Sequence, residues 1–353
     1  MRQFDYVKLR ESSWDSELLS LVAQIREHKG KQESYLGQKL VSLERLVELA
    51  KIQSTDSSNR IEGIVTTNVR LRQLIEGKIA PFNSDEQEII GYRDILNTIH
   101  ESYEHIPLKK EVILQLHRDL LAYSGKTFGG KFKSTQNYIE EIATDGRRSI
   151  RFTPLSPLKT PMAVETICTS YQEACDRQTI DPLILIPIFI GDFLCIHPFN
   201  DGNGRISHLL TTLLLYKSGF MVGRYISIEK KIEETKGVYY DVLKKISHNW
   251  HDGQNDYTPF IKYLLEIILS CYRDLEKRLL LVDQKMSAYE IVRKAVSETL
   301  GIFIKREILE QCPCVGSSSV EAALKRLTEE GYILRHGAGR STTYVRSYES
   351  TLT

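Results

Sequence analysis

The sequence predicts a mainly α fold: a helical bundle interrupted by one small β-hairpin, then a compact module of three helices and a second hairpin. Three observations carry this. Apolar residues recur at helical spacing through most of residues 15–121 and again over 183–282. Between Ser124 and Pro161 that period is lost, and Gly, Thr and Pro gather around two short extended pieces. Beyond about residue 286 the pattern changes to shorter helices and two alternating strands around Gly337-Ala338-Gly339. The expected division is an amino-terminal helical region over 1–107, a core over 108–282 and a carboxy-terminal module over 286–353.

Taken in order, Leu18, Leu21, Val22 and Ile25 mark a helix over 15–28, Lys29-Gly30-Lys31 a turn, and a second helix runs from about Tyr35 to Ile52. Ser54 to Gly63 reads locally as a helix amino cap, with Gly63 closing a short helix. Three helical patterns fill 66–121. Ser84-Asp85-Glu86-Gln87 opens one of them with capping-box chemistry, ahead of an apolar face built on Ile89, Ile90, Ile95, Leu96 and Ile99. His100, His105 and His117 read as packing or surface residues, because no carboxylate or Cys shares a metal-like spacing with them. Lys131–Ile139 and Ser149–Pro154 form the hairpin. Leu183–Ile196 is a buried helix, and Ile206–Lys217 is another that Gly219 stops. Glu229–Ile246 is helical and carries Tyr239-Tyr240. A polar loop with His248, Asn249, Trp250 and His251 leads to a long helix over Tyr257–Val282.

Composition narrows the function classes. A hydrophobic share of 41% and a charged share of 26% are ordinary for a globular chain, and a formal net charge of +1 gives no global attraction to nucleic acid or an anionic membrane. Met1 to Arg10 lacks the apolar stretch of a secretory leader, and six scattered cysteines (168, 175, 195, 271, 312, 314) then read as reduced thiols in a cytoplasm. Cys312-Pro313-Cys314 is too tightly spaced for a zinc pair. The longest apolar run, Leu183–Ile196, is broken by Pro187 and Asp192 and falls short of the roughly 20 residues that span a bilayer.

Chemistry concentrates in His197-Pro198-Phe199-Asn200-Asp201-Gly202-Asn203-Gly204-Arg205, a loop at a helix amino end. Gly202 and Gly204 admit positive φ and close approach of backbone to a ligand, so N–H groups converge on one oxyanion with the helix dipole and Arg205 behind them. Asp201 is a hard oxygen ligand of the kind Mg²⁺ uses when it bridges phosphates. His197 offers a base whose unperturbed pKa, roughly 6.5, suits proton removal near neutrality.

This stretch resembles the Fic family motif H-x-F-x-[D/E]-G-N-G-R-x-x-R, and every defined position matches except the last, which is His208. The resemblance implies a Fic-type helical bundle and transfer of AMP from Mg-ATP to a Tyr, Ser or Thr hydroxyl of a target protein, itself included. It implies His197 as base and Asp201 as the Mg²⁺ ligand. Gly202, Asn203, Gly204, Arg205, Ile206, Ser207 and His208 would line the polyphosphate, with Phe199 turned inward. It makes the hairpin a target-aligning flap, with Ile150, Arg151 and Phe152 near the nucleotide, and puts Tyr239 beside the adenine. Ser58-x-x-x-Glu62-Gly63 is similar to the family's inhibitory pattern, which implies that Glu62 pairs with the residue at 208. With His208 there, the latch is expected to tighten as the imidazole gains a proton.

In the carboxy-terminal module, a helix to Leu300, Lys305–Gln311, a turn at Pro313–Gly316 and a helix from Ser317 to Glu330 precede strands at Tyr332–His336 and Thr342–Arg346. This pattern resembles a winged helix-turn-helix. Gly301 to Arg346 holds seven Lys or Arg against five Glu, so DNA contact and protein contact are both open. The rival readings are a nucleotide-responsive DNA-binding regulator with little catalysis, and a Fic enzyme that moves another phosphate-linked group or removes AMP. Among partners a homodimer is admitted and a membrane is not.

Overall fold

The computed structural model describes residues 2–36, 40–142, 147–178, 180–283, 287–299, 301–312, 315–339 and 342–347. Contacts group them into two units, 1–29 with 50–271 and 30–49 with 272–353. Helices α1 (Ser16–Leu36) and α2 (Leu40–Ile61) open the chain, followed by α3 (Asn68–Ile75), α4 (Ser84–Ser102) and α5 (Lys110–Leu120). The expected turn at Lys29-Gly30-Lys31 is instead the interior of α1, since a single Gly costs a helix only about 1 kcal/mol. Ser54–Ile61 is the last part of α2 rather than a helix start, and Gly63, at φ +82°, ends it in the left-handed conformation that favours glycine. The cap of α4 is Asn83, whose side chain accepts from the Glu86 N–H, one residue before the Ser84 expected.

The hairpin pairs β1 (Ile139–Ile142) with β2 (Arg148–Phe152) antiparallel, Glu140 opposite Ile150. Its first strand begins later than expected, because residues 133–137 bond to the motif loop instead. After it come α6 (Thr160–Asp176), α7 (Pro182–Ile196) and α8 (Asn203–Lys217). Asp181 caps α7 through the Leu183 N–H, and Pro182 occupies the first turn, where no donor is needed. Every residue from Leu183 to Ile196 is buried, so α7 is a central helix, with α6 and α8 packed against it. The helical run expected over 229–246 is two helices, α9 (Ile228–Glu234) and α10 (Lys236–Ser247), separated at Thr235. The long α11 spans Thr258–Asp283.

In the second unit, α12 (Ala288–Glu298), α13 (Lys305–Gln311) and α14 (Ser317–Glu329) enclose a core that includes Val292, Val296, Ile308, Val320, Leu324 and Leu327. Ser287 and Glu290 form a reciprocal capping box at α12. A three-stranded antiparallel sheet runs in the order β3 (Ile302–Phe303), β5 (Thr343–Arg346), β4 (Ile333–His336). The first strand, two residues long, escapes any periodicity argument. No described helix is long and apolar enough to cross a membrane.

Candidate active site

His197 ends α7 in the left-handed region (φ 50°), a conformation unusual for a residue with a Cβ, and the chain turns sharply there toward α8. Neighbouring residues fix the turn. The Lys133 N–H donates to the Pro198 carbonyl (2.9 Å), and its ammonium donates to the Ile196 carbonyl at the helix end (3.1 Å). The Asn137 amide donates to the carbonyls of His197 (3.1 Å) and Phe199 (3.0 Å). Phe199 is buried as expected, stacked on His117 with ring centroids 3.7 Å apart. His117 accepts from the Gly130 N–H at Nδ1 (3.1 Å), so Nε2 carries the proton and donates to the Asp201 carbonyl (3.1 Å). His117 thus packs, as the sequence suggested, and also holds the loop.

His197 is half-buried, and its Nδ1 lies 3.3 Å from the Leu194 carbonyl. A carbonyl can only accept, so Nδ1 bears the hydrogen and Nε2 keeps its lone pair. Burial, with the Lys133 ammonium nearby, lowers the imidazole pKa to about 4 against the opposing Leu194 bond. The ring is therefore neutral around pH 7, the state a proton acceptor requires.

At the start of α8, Gly202 has φ +82° and no side chain caps the first turn. The Glu62 carboxylate lies against this turn. Its Oε1 stands so close to Gly204 that a Cβ added there would push the carboxylate aside. Glu62 is open to solvent on one side yet lies deep among protein groups. Burial raises its pKa, Arg205 opposing and Asp201 reinforcing. The end of α2 that carries it is held from α10, where the Lys236 ammonium (2.7 Å) and the Tyr240 hydroxyl (3.3 Å) both donate to the Ile61 carbonyl. A helix start without a side-chain cap, with a carboxylate beside it, is the kind of place where anions bind.

Behind the cradle lies a charge network that the sequence did not reveal. Arg205 is fully buried and donates to Glu88 (2.6 Å) and Asp201 (3.3 Å). Lys126, from the loop after α5, bridges Glu88 (2.7 Å) and Asp201 (2.6 Å). Burial opposes the charge on Asp201, but Lys126, Arg205 and the Gly202 N–H outweigh it and hold its pKa below the usual carboxylate value. Lys126 had no visible signal: Gly125-Lys126-Thr127 reads as an ordinary loop. Among the described residues, no three His, Cys, Asp or Glu cluster as a metal cage. A half-exposed hard carboxylate at 201 fits Mg²⁺ that takes its other ligands from phosphate and water.

Several expected contacts are corrected. His208 is bonded to Ser58 (Nδ1 to Oγ, 2.9 Å), not to Glu62, which faces Gly204. Burial lowers the His208 pKa to about 4, so it gains no proton between pH 6 and 8 and cannot tighten the latch there. The Asn203 side chain is spent within the loop, accepting from the Phe199 N–H (2.9 Å) and donating to its carbonyl (2.8 Å). Ile206 is fully buried, and the Ser207 hydroxyl donates to the Gly204 carbonyl (2.6 Å). Tyr239 is packed among Tyr240, Phe260 and Tyr263, which leaves Tyr240 as the more exposed ring of the pair. On the hairpin, Ile150 is exposed and Arg151 donates to the Tyr240 carbonyl (3.3 Å). Phe152 instead anchors the strand on Trp250 and His251, and Trp250, expected in a polar loop, is fully buried with its indole N–H on Asp192 (2.7 Å).

Residues 107–215 match the Fic/DOC family. The chain is similar to "Protein adenylyltransferase fic-1" of Caenorhabditis elegans, 29% identical over 210 residues that cover 58% of this chain and 37% of that protein. It is also similar to "Protein adenylyltransferase Fic" of Nematostella vectensis (24% over 234 residues, 63% and 48% covered) and of Drosophila melanogaster (25% over 284 residues, 76% and 52% covered). The chain thus spans about half or less of the length of these relatives. Among solved structures, a Fic family protein from Desulfovibrio desulfuricans G20 superposes with TM-score 0.60 at 19% identity, covering 96% of this chain and 98% of that one. Fic-1 (aa134–508) of C. elegans superposes with TM-score 0.58 at 23% identity, covering 80% and 82%. At these identities the superpositions establish the fold.

Proposed function

Because residues 107–215 form a Fic/DOC domain, we propose that this protein is a protein adenylyltransferase, moving AMP from Mg-ATP to a Tyr, Ser or Thr hydroxyl of a target protein and held back by Glu62. One observation carries the reading: a neutral imidazole with a free lone pair shares a loop with a helix start that no side chain caps and against which a carboxylate of the same chain lies. Such a place accepts phosphate oxygens once the carboxylate leaves.

In this reading the target hydroxyl oxygen forms a bond to the α-phosphorus of ATP, and the bond from that phosphorus to the pyrophosphate oxygen breaks. The hydroxyl proton goes to Nε2 of His197. Phosphate charge nearby raises the imidazole pKa from its low resting value, which favours the transfer. Asp201 would hold Mg²⁺, which would supply charge neutralisation at the phosphates. Amides of the first turn of α8 orient the polyphosphate, and Tyr240 rather than Tyr239 offers a ring surface to the base. Ser58 fixes His208 and thereby the end of α2 against α8, so its part in inhibition is to position Glu62. The hairpin edge aligns the target backbone by strand addition.

Nucleic-acid contact by the carboxy-terminal unit is the weaker proposal. Lys305, Arg306, Lys325 and Arg326 are each paired with a Glu, which leaves few cations to neutralise phosphates.

The test is incubation with α-labelled ATP and Mg²⁺. Covalent label is expected to be weak in wild type and strong in Glu62→Gly. Adding His197→Ala to Glu62→Gly should lower it by roughly 10²–10⁴-fold, the range of a general base, with an unchanged circular dichroism spectrum. Undiminished label in the double variant would remove His197 from the mechanism.

A further inference from the structure

The cradle is short of free positive charge. Arg205 is fully buried and turned to Glu88, His208 is neutral and bonded to Ser58, Lys236 is held on the Ile61 carbonyl, and Lys133 on the Ile196 carbonyl. Lys126 differs from all of these. Its ammonium is bound by two carboxylates, of which Glu88 is buried and Asp201, the metal-ligand candidate, is 40% exposed. Its own side chain is 28% exposed, and it rises from a loop whose Gly125 takes φ +67°.

We propose that Lys126 is a polyphosphate-binding residue of this site, supplying the cation that His208 does not. Resting on the adenylyltransferase reading, the argument has two steps. Before nucleotide arrives, Lys126 balances Glu88 and Asp201, which together with Arg205 makes two carboxylates and two cations in one cluster. With a divalent ion held by Asp201, Lys126 would keep only Glu88 as a carboxylate partner, and its ammonium would be open to a phosphate oxygen. An ammonium on a flexible stem can follow the charge that a buried guanidinium cannot.

The experiment measures nucleotide affinity by calorimetry with Mg²⁺ and with chelator, in a Glu62→Gly background so that the cradle is open. Lys126→Ala is expected to weaken ATP roughly tenfold, the loss of a charge-assisted contact, while AMP, lacking the β- and γ-phosphates, binds as before. Lys126→Arg should restore most of the ATP affinity. Equal ATP affinity with and without Lys126, or an equal loss for ATP and AMP, overturns the assignment. If Glu62→Gly with Lys126 intact binds no ATP, the adenylyltransferase reading fails, and this one with it.

Discussion

Charges in the motif region and in the carboxy-terminal unit are used in opposite ways. Around α8 they are buried or partly buried and come from remote parts of the chain: Arg205 meets Glu88 across 117 residues, and Lys126 meets Asp201 across 75. In the carboxy-terminal unit they pair mostly along one helix, Arg306 with Glu310, Lys325 with Glu329 and Arg326 with Glu330, all with much of their surface in water. A desolvated pair must be completed or it is costly, whereas an exposed i,i+4 pair contributes little. The first arrangement fixes its groups in place. The second mainly keeps a surface solvated, and it also uses up the cations that a DNA-binding face would need.

Three substitutions or conditions probe that contrast. Arg205→Met should have the largest effect, about 3–5 kcal/mol of lost stability in urea unfolding, because Glu88 loses its closest buried partner. Adding Glu88→Gln should recover part of it, and a midpoint equal to wild type for the single variant would show that the pair is not buried in solution.

A smaller effect is expected from pH. Burial lowers His100 to about 3 and His117 and His208 to about 4, while an unfolded imidazole titrates near roughly 6.5. The unfolded chain therefore takes up these protons first. The stability conferred by the neutral rings is complete above pH 6.5 or so and is lost as pH falls toward about 4. The melting temperature should decline over that window, and less steeply in His208→Gln, which keeps a partner for Ser58. Parallel declines in the two proteins would show that His208 does not contribute.

The smallest effect is reserved for the carboxy-terminal unit. Arg326→Gln should leave the urea midpoint where it was, since its partner Glu330 is solvated. A clear loss would mean that its stacking on Tyr289, with the guanidinium 4.1 Å from the ring centroid, carries weight the ion pair does not.

The helical class, most helices after residue 66, the hairpin and the loop at 197–205 were legible because each is written in local periodicity or in glycine and proline placement; α6 (Thr160–Asp176) and the break at Thr235 were not read. His197, Asp201, Gly202, Gly204 and Glu62 were singled out as candidates because each lies in a short contiguous pattern. The misreadings share a cause as well. Tyr239 and Tyr240 are adjacent in sequence, and about 100° of helical rotation separates a packed ring from an exposed one. Asn203 has the right chemistry for a phosphate, yet its side chain bonds the N–H and carbonyl of Phe199.

By itself, then, the amino-acid order determined most of the elements and singled out the loop at 197–205 as the candidate site, because these follow from residue type and spacing along one stretch of backbone. Tertiary structure alone decided the partners: Ser58 with His208, Glu62 over Gly204, and Lys126 between Glu88 and Asp201. Such pairings arise only when folding removes water from groups far apart in the chain, leaving each charge or imidazole to be satisfied by whatever polar group packing has brought within reach.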